Sequence, residues 1–152
     1  MSLLHEDGRQ SEVALAIARG TRRLLRAMGL ASLSEVSLRN GRRADLLALG
    51  EDGTLVIVEI KSSLADFRAD QKWPEYRAAC DHLYFAIADA GLEQIMPEDA
   101  GLILADAYGA AIARPAPQHR LAPATRKMVT QIFARTAAAR LHRLEDPDGF
   151  LS

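Results

Sequence analysis

The stretch TLVIVEIK, residues 54–61, decides the fold that this chain is expected to adopt. Its apolar run Leu-Val-Ile-Val is rich in residues that favour strands, which indicates a buried β-strand. The strand then continues into charge, with Glu59 and Lys61 on either side of Ile60. Because side chains alternate between the two faces of a strand, Glu59 and Lys61 are expected to point the same way and Ile60 the opposite way.

The segments before this strand predict two partners for it. Residues 43–49 form a strand candidate that the turn signal Glu-Asp-Gly at 51–53 joins to residues 54–61. Residues 33–38 form another, which ends at the turn signal Asn-Gly at 40–41. Three consecutive strands joined by tight turns predict an antiparallel meander.

Helices are predicted on both sides of the meander. Apolar residues at helical spacing indicate a helix over residues 11–28, with Ser11 as its N-cap and Gly29 after its end. A second, polar helix begins at Leu64. Because proline is not tolerated in the middle of a helix, we expect a kink or a new start near Pro74.

The rest of the chain adds a strand, a short helix, a hairpin and a long helix. Their predicted ranges are 82–88, 92–96, 101–105 with 110–114, and 122–144. The order of elements predicts an α/β fold with helices on both faces of a central sheet. At 152 residues we expect a single domain over residues 1–152.

Several classes of protein do not fit the composition. The single Cys80 cannot form an internal disulfide, no apolar run is long enough for a membrane span, and no apolar segment follows Met1 as in a signal peptide. We therefore expect a cytoplasmic protein that does not enter the membrane. The histidines and the cysteine lack zinc-ligand spacing, and no phosphate-binding glycine loop is present.

The net charge of -1 conceals a strong segregation of charge. Residues 19–43 carry seven arginines and one acid, residues 44–106 carry thirteen acids and four bases, and residues 107–144 carry seven bases and no acid. An acidic middle could hold metal while basic flanks attract phosphate, so a DNA partner fits this pattern. Ordinary solvated helix faces are the alternative explanation.

The candidate chemistry rests on carboxylates placed where apolar residues belong. Asp45 interrupts an apolar strand, and antiparallel pairing across the 51–53 turn brings it near Glu59. Two adjacent carboxylates repel unless a cation lies between them, and Mg²⁺ favours oxygen ligands while keeping several waters. Lys61 adds a positive donor for a water or a phosphate. A structural salt-bridge cluster is the alternative.

Asp45, thirteen intervening residues and then Glu59-Ile60-Lys61 resemble the PD-(D/E)XK nuclease signature, with Ala44 in place of its proline. The resemblance implies a restriction-endonuclease-like α-β-β-β-α-β core with an extra hairpin and a C-terminal helix. It implies that Asp45 and Glu59 hold Mg²⁺ or Mn²⁺, that the Ile60 carbonyl joins them, and that Lys61 serves the attacking water. Family members often add a glutamate from the first helix, and Glu12 is the candidate here.

Residues 43–86 are similar in detail to the MmcB-like family, which is named for DNA repair. The resemblance implies a DNA-repair role and a nuclease-like fold. Together with the signature at Asp45, Glu59 and Lys61, we expect a repair-associated nuclease that hydrolyses phosphodiesters of DNA with a metal-activated water, with repair proteins as possible partners. Arginines of the first and last helices are the expected phosphate contacts, and the alanine-rich last helix is compatible with a homodimer. The alternatives are a non-catalytic DNA-binding module and a structural interaction protein.

On the helix after the lysine strand, Asp66, Asp70 and Lys72 have two interpretations. They either line a cleft or form a solvated helix face. Ser62 and Ser63 are interpreted as caps of that helix, with contact to phosphate as the alternative.

Overall fold

A computed structural model describes the backbone of residues 8–150 and the side chains of residues 12–149. Six strands form one sheet, in which their order is that of the chain. They are β1 (Leu30–Ser37), β2 (Arg43–Gly50), β3 (Leu55–Ile60), β4 (His82–Ile87), β5 (Gly101–Ala105) and β6 (Ala110–Arg114). The α-helices are α1 (Gly8–Ala27), α2 (Leu64–Ala69) and α3 (Pro123–Glu145), with 3₁₀ segments at Trp73–Ala79, Ala90–Ile95 and Pro147–Phe150.

The sheet is mixed. Strands β1, β2 and β3 pair antiparallel, as the meander predicts. Strand β4 lies parallel to β3, and β5 lies parallel to β4, so α2 and the 3₁₀ segment after it form the crossover between β3 and β4. Strand β6 closes the sheet as a hairpin with β5. The predicted α/β class and the order of its elements are confirmed.

Helices cover both faces of the sheet, as predicted. Ile17 and Leu25 of α1 belong to the apolar cluster on one face, together with the even-numbered core positions of β3. Val129 and Phe133 of α3 belong to the cluster on the opposite face. Across residues 8–150 no helix is long and apolar enough to cross a membrane.

The helix boundaries differ from the predictions in two places. Helix α1 begins at Gly8, so Ser11 lies within the helix and does not occupy its N-cap. The side chain of Ser11 lies outside the described part of the chain. The predicted short helix before β5 is a 3₁₀ segment. The interruption near Pro74 is confirmed, because α2 ends at Ala69 and the next segment begins with proline in its first turn.

Asp81 joins three parts of the chain just before β4. Its carboxylate accepts hydrogen bonds from the backbone N–H of Leu55 at 2.8 Å and of Leu121 at 3.0 Å, and from the Arg126 guanidinium at 2.6 and 2.7 Å. Burial alone would raise the pKa of Asp81, but the bonds from Arg126, Leu55 and Leu121 outweigh it and hold that pKa well below its usual 3.8. This carboxylate fixes α3 against the start of β3.

We expect Asp81→Ala to lower the free energy of unfolding by about 3 kcal/mol, because it leaves Arg126 and two backbone N–H groups without their acceptor. Urea denaturation measures this loss. Because the pKa of Asp81 is lower in the folded protein than in the unfolded chain, its ionised form stabilises the fold at pH values above the unfolded pKa. The difference in free energy of unfolding between wild type and Asp81→Asn should therefore be largest at neutral pH and should decrease as the pH falls below about 3.8.

The matched control is Asp99→Ala, which removes an ion pair of 3.2 Å between Arg77 and an aspartate that is 68% exposed. An exposed pair of this kind is worth less than about 1 kcal/mol. Equal losses for the two variants would contradict the role given to Asp81.

Candidate metal centre

Strands β2 and β3 separate at the predicted site residues. They pair as far as Leu46 opposite Val58. One residue further, the backbone N–H of Asp45 donates to the Glu59 carboxylate at 2.8 Å, and the backbone N–H of Ile60 donates to the Asp45 carboxylate at 2.8 Å. Side-chain oxygens thus satisfy two backbone donors just beyond the last paired residues, and these bonds hold the two carboxyl groups side by side.

The ladder between β1 and β2 is interrupted at the same point. Pairing runs through Ser34 and resumes at Val36, which leaves Glu35 outside it, beside Asp45. Glu35 has a φ of 50°, in the left-handed region that costs a residue other than glycine about 1 kcal/mol or more. The Arg140 guanidinium of α3 donates to the Glu35 carbonyl oxygen at 2.8 Å. The interruption of both ladders makes room for a cleft at Asp45.

The cleft lies between α1 and α2 and has a volume of about 480 Å³. Glu59 is 3% exposed and Lys61 is 5% exposed, and both line the cleft together with Asp45. The other residues of its wall are Ala14, Leu15 and Ala18 of α1, Ser34 and Glu35 of β1, Ile60 and Ser62, and Ala65, Asp66 and Ala69 of α2. The structure therefore brings together the aspartate, glutamate and lysine of the predicted signature.

The two adjacent carboxyl groups resist simultaneous ionisation. Burial raises the pKa of Asp45, and the N–H of Ile60 and the charge of Lys61 offset this only in part. Burial and then the neighbouring charge of Asp45 raise the pKa of Glu59 well above its usual value of 4.5. The same environment raises the pKa of Tyr76, first through burial and then through the charge of Glu59. A positive charge placed among these groups would lower all three pKa values.

Asp70 fixes the lysine of the site. The Lys61 ammonium donates to one oxygen of the Asp70 carboxylate at 2.7 Å, and the N–H of Lys72 donates to the other at 3.0 Å. Because the Lys61 side chain is only 6% exposed, this ion pair satisfies a buried charge. Asp70 is the C-cap residue of α2. The sequence indicated only that it lies on the helix after the lysine strand, and did not predict its ion pair with Lys61.

Asp66 has two roles at the start of α2. Its backbone N–H donates to the Ser63 hydroxyl at 3.0 Å, so the predicted cap at Ser63 is confirmed. Its carboxylate accepts from the N–H of Ser62 at 3.0 Å, and it also lines the cleft, where its charge raises the pKa of Asp45. Asp66 therefore adds negative charge to the site, whereas Lys72 is exposed and is not among the residues that line the cleft.

Glu12 is not brought to the other site residues. It is exposed on α1, whose contribution to the cleft consists of Ala14, Leu15 and Ala18. Among the side chains of residues 12–149, no three histidine, cysteine, aspartate or glutamate residues are grouped closely enough to hold a metal ion. The oxygen donors held closest together in the cleft are the carboxylates of Asp45 and Glu59, with Ile60 between Glu59 and Lys61 in its wall.

This donor set fits a hard divalent cation. All of its donors are oxygens, and Mg²⁺ is commonly held by one or two carboxylates while it keeps several waters. The raised pKa values of Asp45 and Glu59 follow from their burial, which the charge of Lys61 offsets only in part, and a bound cation would offset it further. Asp45, Glu59 and Ile60 are therefore the residues suited to hold Mg²⁺ or Mn²⁺.

In the absence of metal, we expect Glu59→Gln to become increasingly more stable than wild type as the pH rises from about 4.5. The folded protein retains the Glu59 proton at pH values where the unfolded chain has released it. The free energy of unfolding of wild type therefore falls as the pH rises through the raised folded pKa, whereas the amide does not titrate. Thermal unfolding in EDTA across this range measures the difference.

Glu51→Gln is the control, because Glu51 is an exposed acid in the turn between β2 and β3. Its melting temperature should follow that of wild type at every pH. A Glu59→Gln curve that also runs parallel to wild type would contradict the raised pKa.

Comparison with known proteins identifies relatives of the chain. The model of a family described as DNA repair protein MmcB-like matches residues 3–148. A solved structure titled "SPO1766 protein of unknown function from Silicibacter pomeroyi" is 45% identical, covers 90% of this chain and 93% of its own, and superposes with a TM-score of 0.84. None of the curated proteins compared with the chain matches it. The chain belongs to the MmcB-like family of DNA repair proteins.

Proposed function

We propose that this protein is a divalent-metal-dependent deoxyribonuclease of the PD-(D/E)XK type that acts in DNA repair in the cytoplasm. The observation that carries the proposal is the arrangement of Asp45, Glu59 and Lys61 in one cleft where β2 and β3 separate. The repair role is supported by membership of the MmcB-like family. A homodimer and partnership with other repair proteins stay predictions from the sequence.

The alternative of a structural salt-bridge cluster explains this arrangement poorly. Lys61 pairs with Asp70, so it does not serve as the direct partner of the carboxyl pair. Asp45 and Glu59 are instead left next to each other with raised pKa values. A buried cluster of this kind costs stability, which fits a site kept for binding a cation and a phosphate.

Each residue of the cleft has a part in the proposed hydrolysis. Asp45, Glu59 and the Ile60 carbonyl would hold Mg²⁺ or Mn²⁺. When bound, the ion supplies positive charge that favours ionisation of a water and offsets charge on the phosphate. The Lys61 ammonium, held by Asp70, can donate a hydrogen bond to the attacking water or to a phosphate oxygen.

Basic side chains around the cleft suit a polyanionic substrate. Arg140 reaches the cleft wall through the Glu35 carbonyl, and Arg43 precedes Asp45 by two residues with an exposed side chain. Arg19 of α1 and Arg68 of α2 are also exposed, and in the sequence they adjoin the wall residues Ala18 and Ala69. Arginine and lysine contacts to phosphate supply affinity and orientation without reading sequence.

We expect the purified protein to hydrolyse DNA with Mg²⁺ or Mn²⁺, and Lys61→Ala to reduce the rate by about a hundredfold or more. The reason is that the variant removes the ammonium that would stabilise charge in the transition state. Release of labelled fragments from single-stranded, duplex, flap and branched DNA measures the rate. Circular dichroism and thermal unfolding establish that the variant is folded.

Lys127→Ala is the matched control, since Lys127 is an exposed lysine on α3. At low salt this variant should cleave DNA at the rate of wild type. Lys61→Gln is a second site variant that retains side-chain length if the alanine variant does not fold. Undiminished cleavage by a folded Lys61 variant would overturn the mechanism, and salt-sensitive DNA binding without cleavage by wild type would favour a non-catalytic DNA-binding module.

A further inference from the structure

One side of the cleft is apolar although its floor is charged. Helix α1 contributes Ala14, Leu15 and Ala18, and α2 contributes Ala65 and Ala69. Leu15 is 68% exposed, which makes it one of the most exposed large apolar side chains among residues 12–149. Covering this exposed leucine with an apolar group is favourable, because it removes apolar surface from water.

The cleft is deep enough to restrict what reaches its floor. Glu59 is only 3% exposed and Lys61 only 5% exposed, although both line a cleft of about 480 Å³. That volume lies within the range of roughly 300–1,000 Å³ typical of pockets for small ligands. A phosphate group that reaches Lys61 therefore enters with its attached nucleoside close to the α1 wall.

Paired and unpaired DNA differ in what they can offer this wall. In a duplex the bases are stacked inside the helix, and taking one out costs a few kcal/mol. A duplex exposes sugar, phosphate and, in its grooves, base edges, but the flat faces of its bases are covered by stacking. An unpaired nucleotide presents its base face without that cost, and contact with Leu15 would remove apolar surface of both from water irrespective of sequence.

We infer that the cleft takes one unpaired nucleotide of a single-stranded DNA segment, with its base against Leu15 and its phosphate towards Lys61. This inference rests on the proposed function, because it names the substrate class of the same site. Arg19 and Arg68 are exposed and adjoin the wall residues Ala18 and Ala69 in the sequence, so they suit the strand on either side of that nucleotide.

The test measures binding separately from cleavage. Glu59→Gln in EDTA serves as the background, because the amide removes one negative charge while its oxygen can still accept the bond from the N–H of Asp45. The probes are a fluorescent single strand of about twenty nucleotides, longer than the roughly 4–16 nucleotides that small single-strand-binding folds cover. The same strand with abasic sites and the matched duplex complete the set, and fluorescence anisotropy gives the dissociation constants.

We expect the single strand to bind about fivefold or more tightly than either the abasic strand or the duplex. Adding Leu15→Gln should weaken binding of the single strand to the level of the abasic strand and leave the abasic strand unchanged. The amide also favours helices, so α1 should persist. Leu144→Gln is the control, since Leu144 is an 81% exposed leucine near the end of α3, and it should change none of the three constants.

The inference would be overturned by equal affinity for the single strand and the duplex, by an unchanged preference in Leu15→Gln, or by no binding of any probe. A Leu15→Gln change confined to oligomeric state would also overturn it and assign the wall to a protein contact. Cleavage by the protein without these substitutions, assayed in Mg²⁺, tests the proposed function separately. If the protein hydrolysed duplex as fast as single-stranded DNA, and Leu15→Gln did not change either rate, the proposed nuclease activity would stand and the inferred preference for single strands would be wrong.

Discussion

The exchange of two hydrogen bonds between side chain and backbone organises this structure. The N–H of Asp45 donates to the Glu59 carboxylate and the N–H of Ile60 donates to the Asp45 carboxylate, each at 2.8 Å. Both N–H groups lie just beyond Leu46 and Val58, the last paired residues of β2 and β3. Because the carboxylates accept them, these backbone donors are satisfied at the point where the pairing ends and the cleft begins.

The same exchange produces the electrostatic character of the cleft. It holds two carboxyl groups side by side in a buried position, where burial raises the pKa of Asp45, and burial and then the charge of Asp45 raise the pKa of Glu59. The two hydrogen bonds lower these pKa values but do not outweigh burial. Asp66 adds further negative charge, while Asp70 holds Lys61. This arrangement supports the proposed site, in which a cation would bind at the carboxylates and the Lys61 ammonium would face the phosphate.

The sequence predicted those features that depend on local patterns. The β5–β6 hairpin has its predicted bounds, and Pro74 marks the interruption after α2, because turn residues and proline act through nearby backbone. The adjacency of Asp45 and Glu59 followed from the turn at 51–53 and strand alternation. The contact of Asp81 with Arg126 was missed, since it joins residues 45 apart that only the folded sheet brings together. The apolar α1 wall was missed because Leu15 suits a core position as well as a cleft.

Calorimetric titration with Mn²⁺ in buffers of different ionisation enthalpy tests the central claim most directly, because it counts the protons that leave when the ion binds. If Asp45 and Glu59 share a proton before binding, near-neutral titration should show saturable binding with proton release. Asp45→Asn, whose amide oxygen can still accept the hydrogen bond from the N–H of Ile60, should lose both Mn²⁺ binding and proton release. Glu51→Gln should retain both the binding and the proton release. Absence of binding, or binding that persists in Asp45→Asn, would contradict the account.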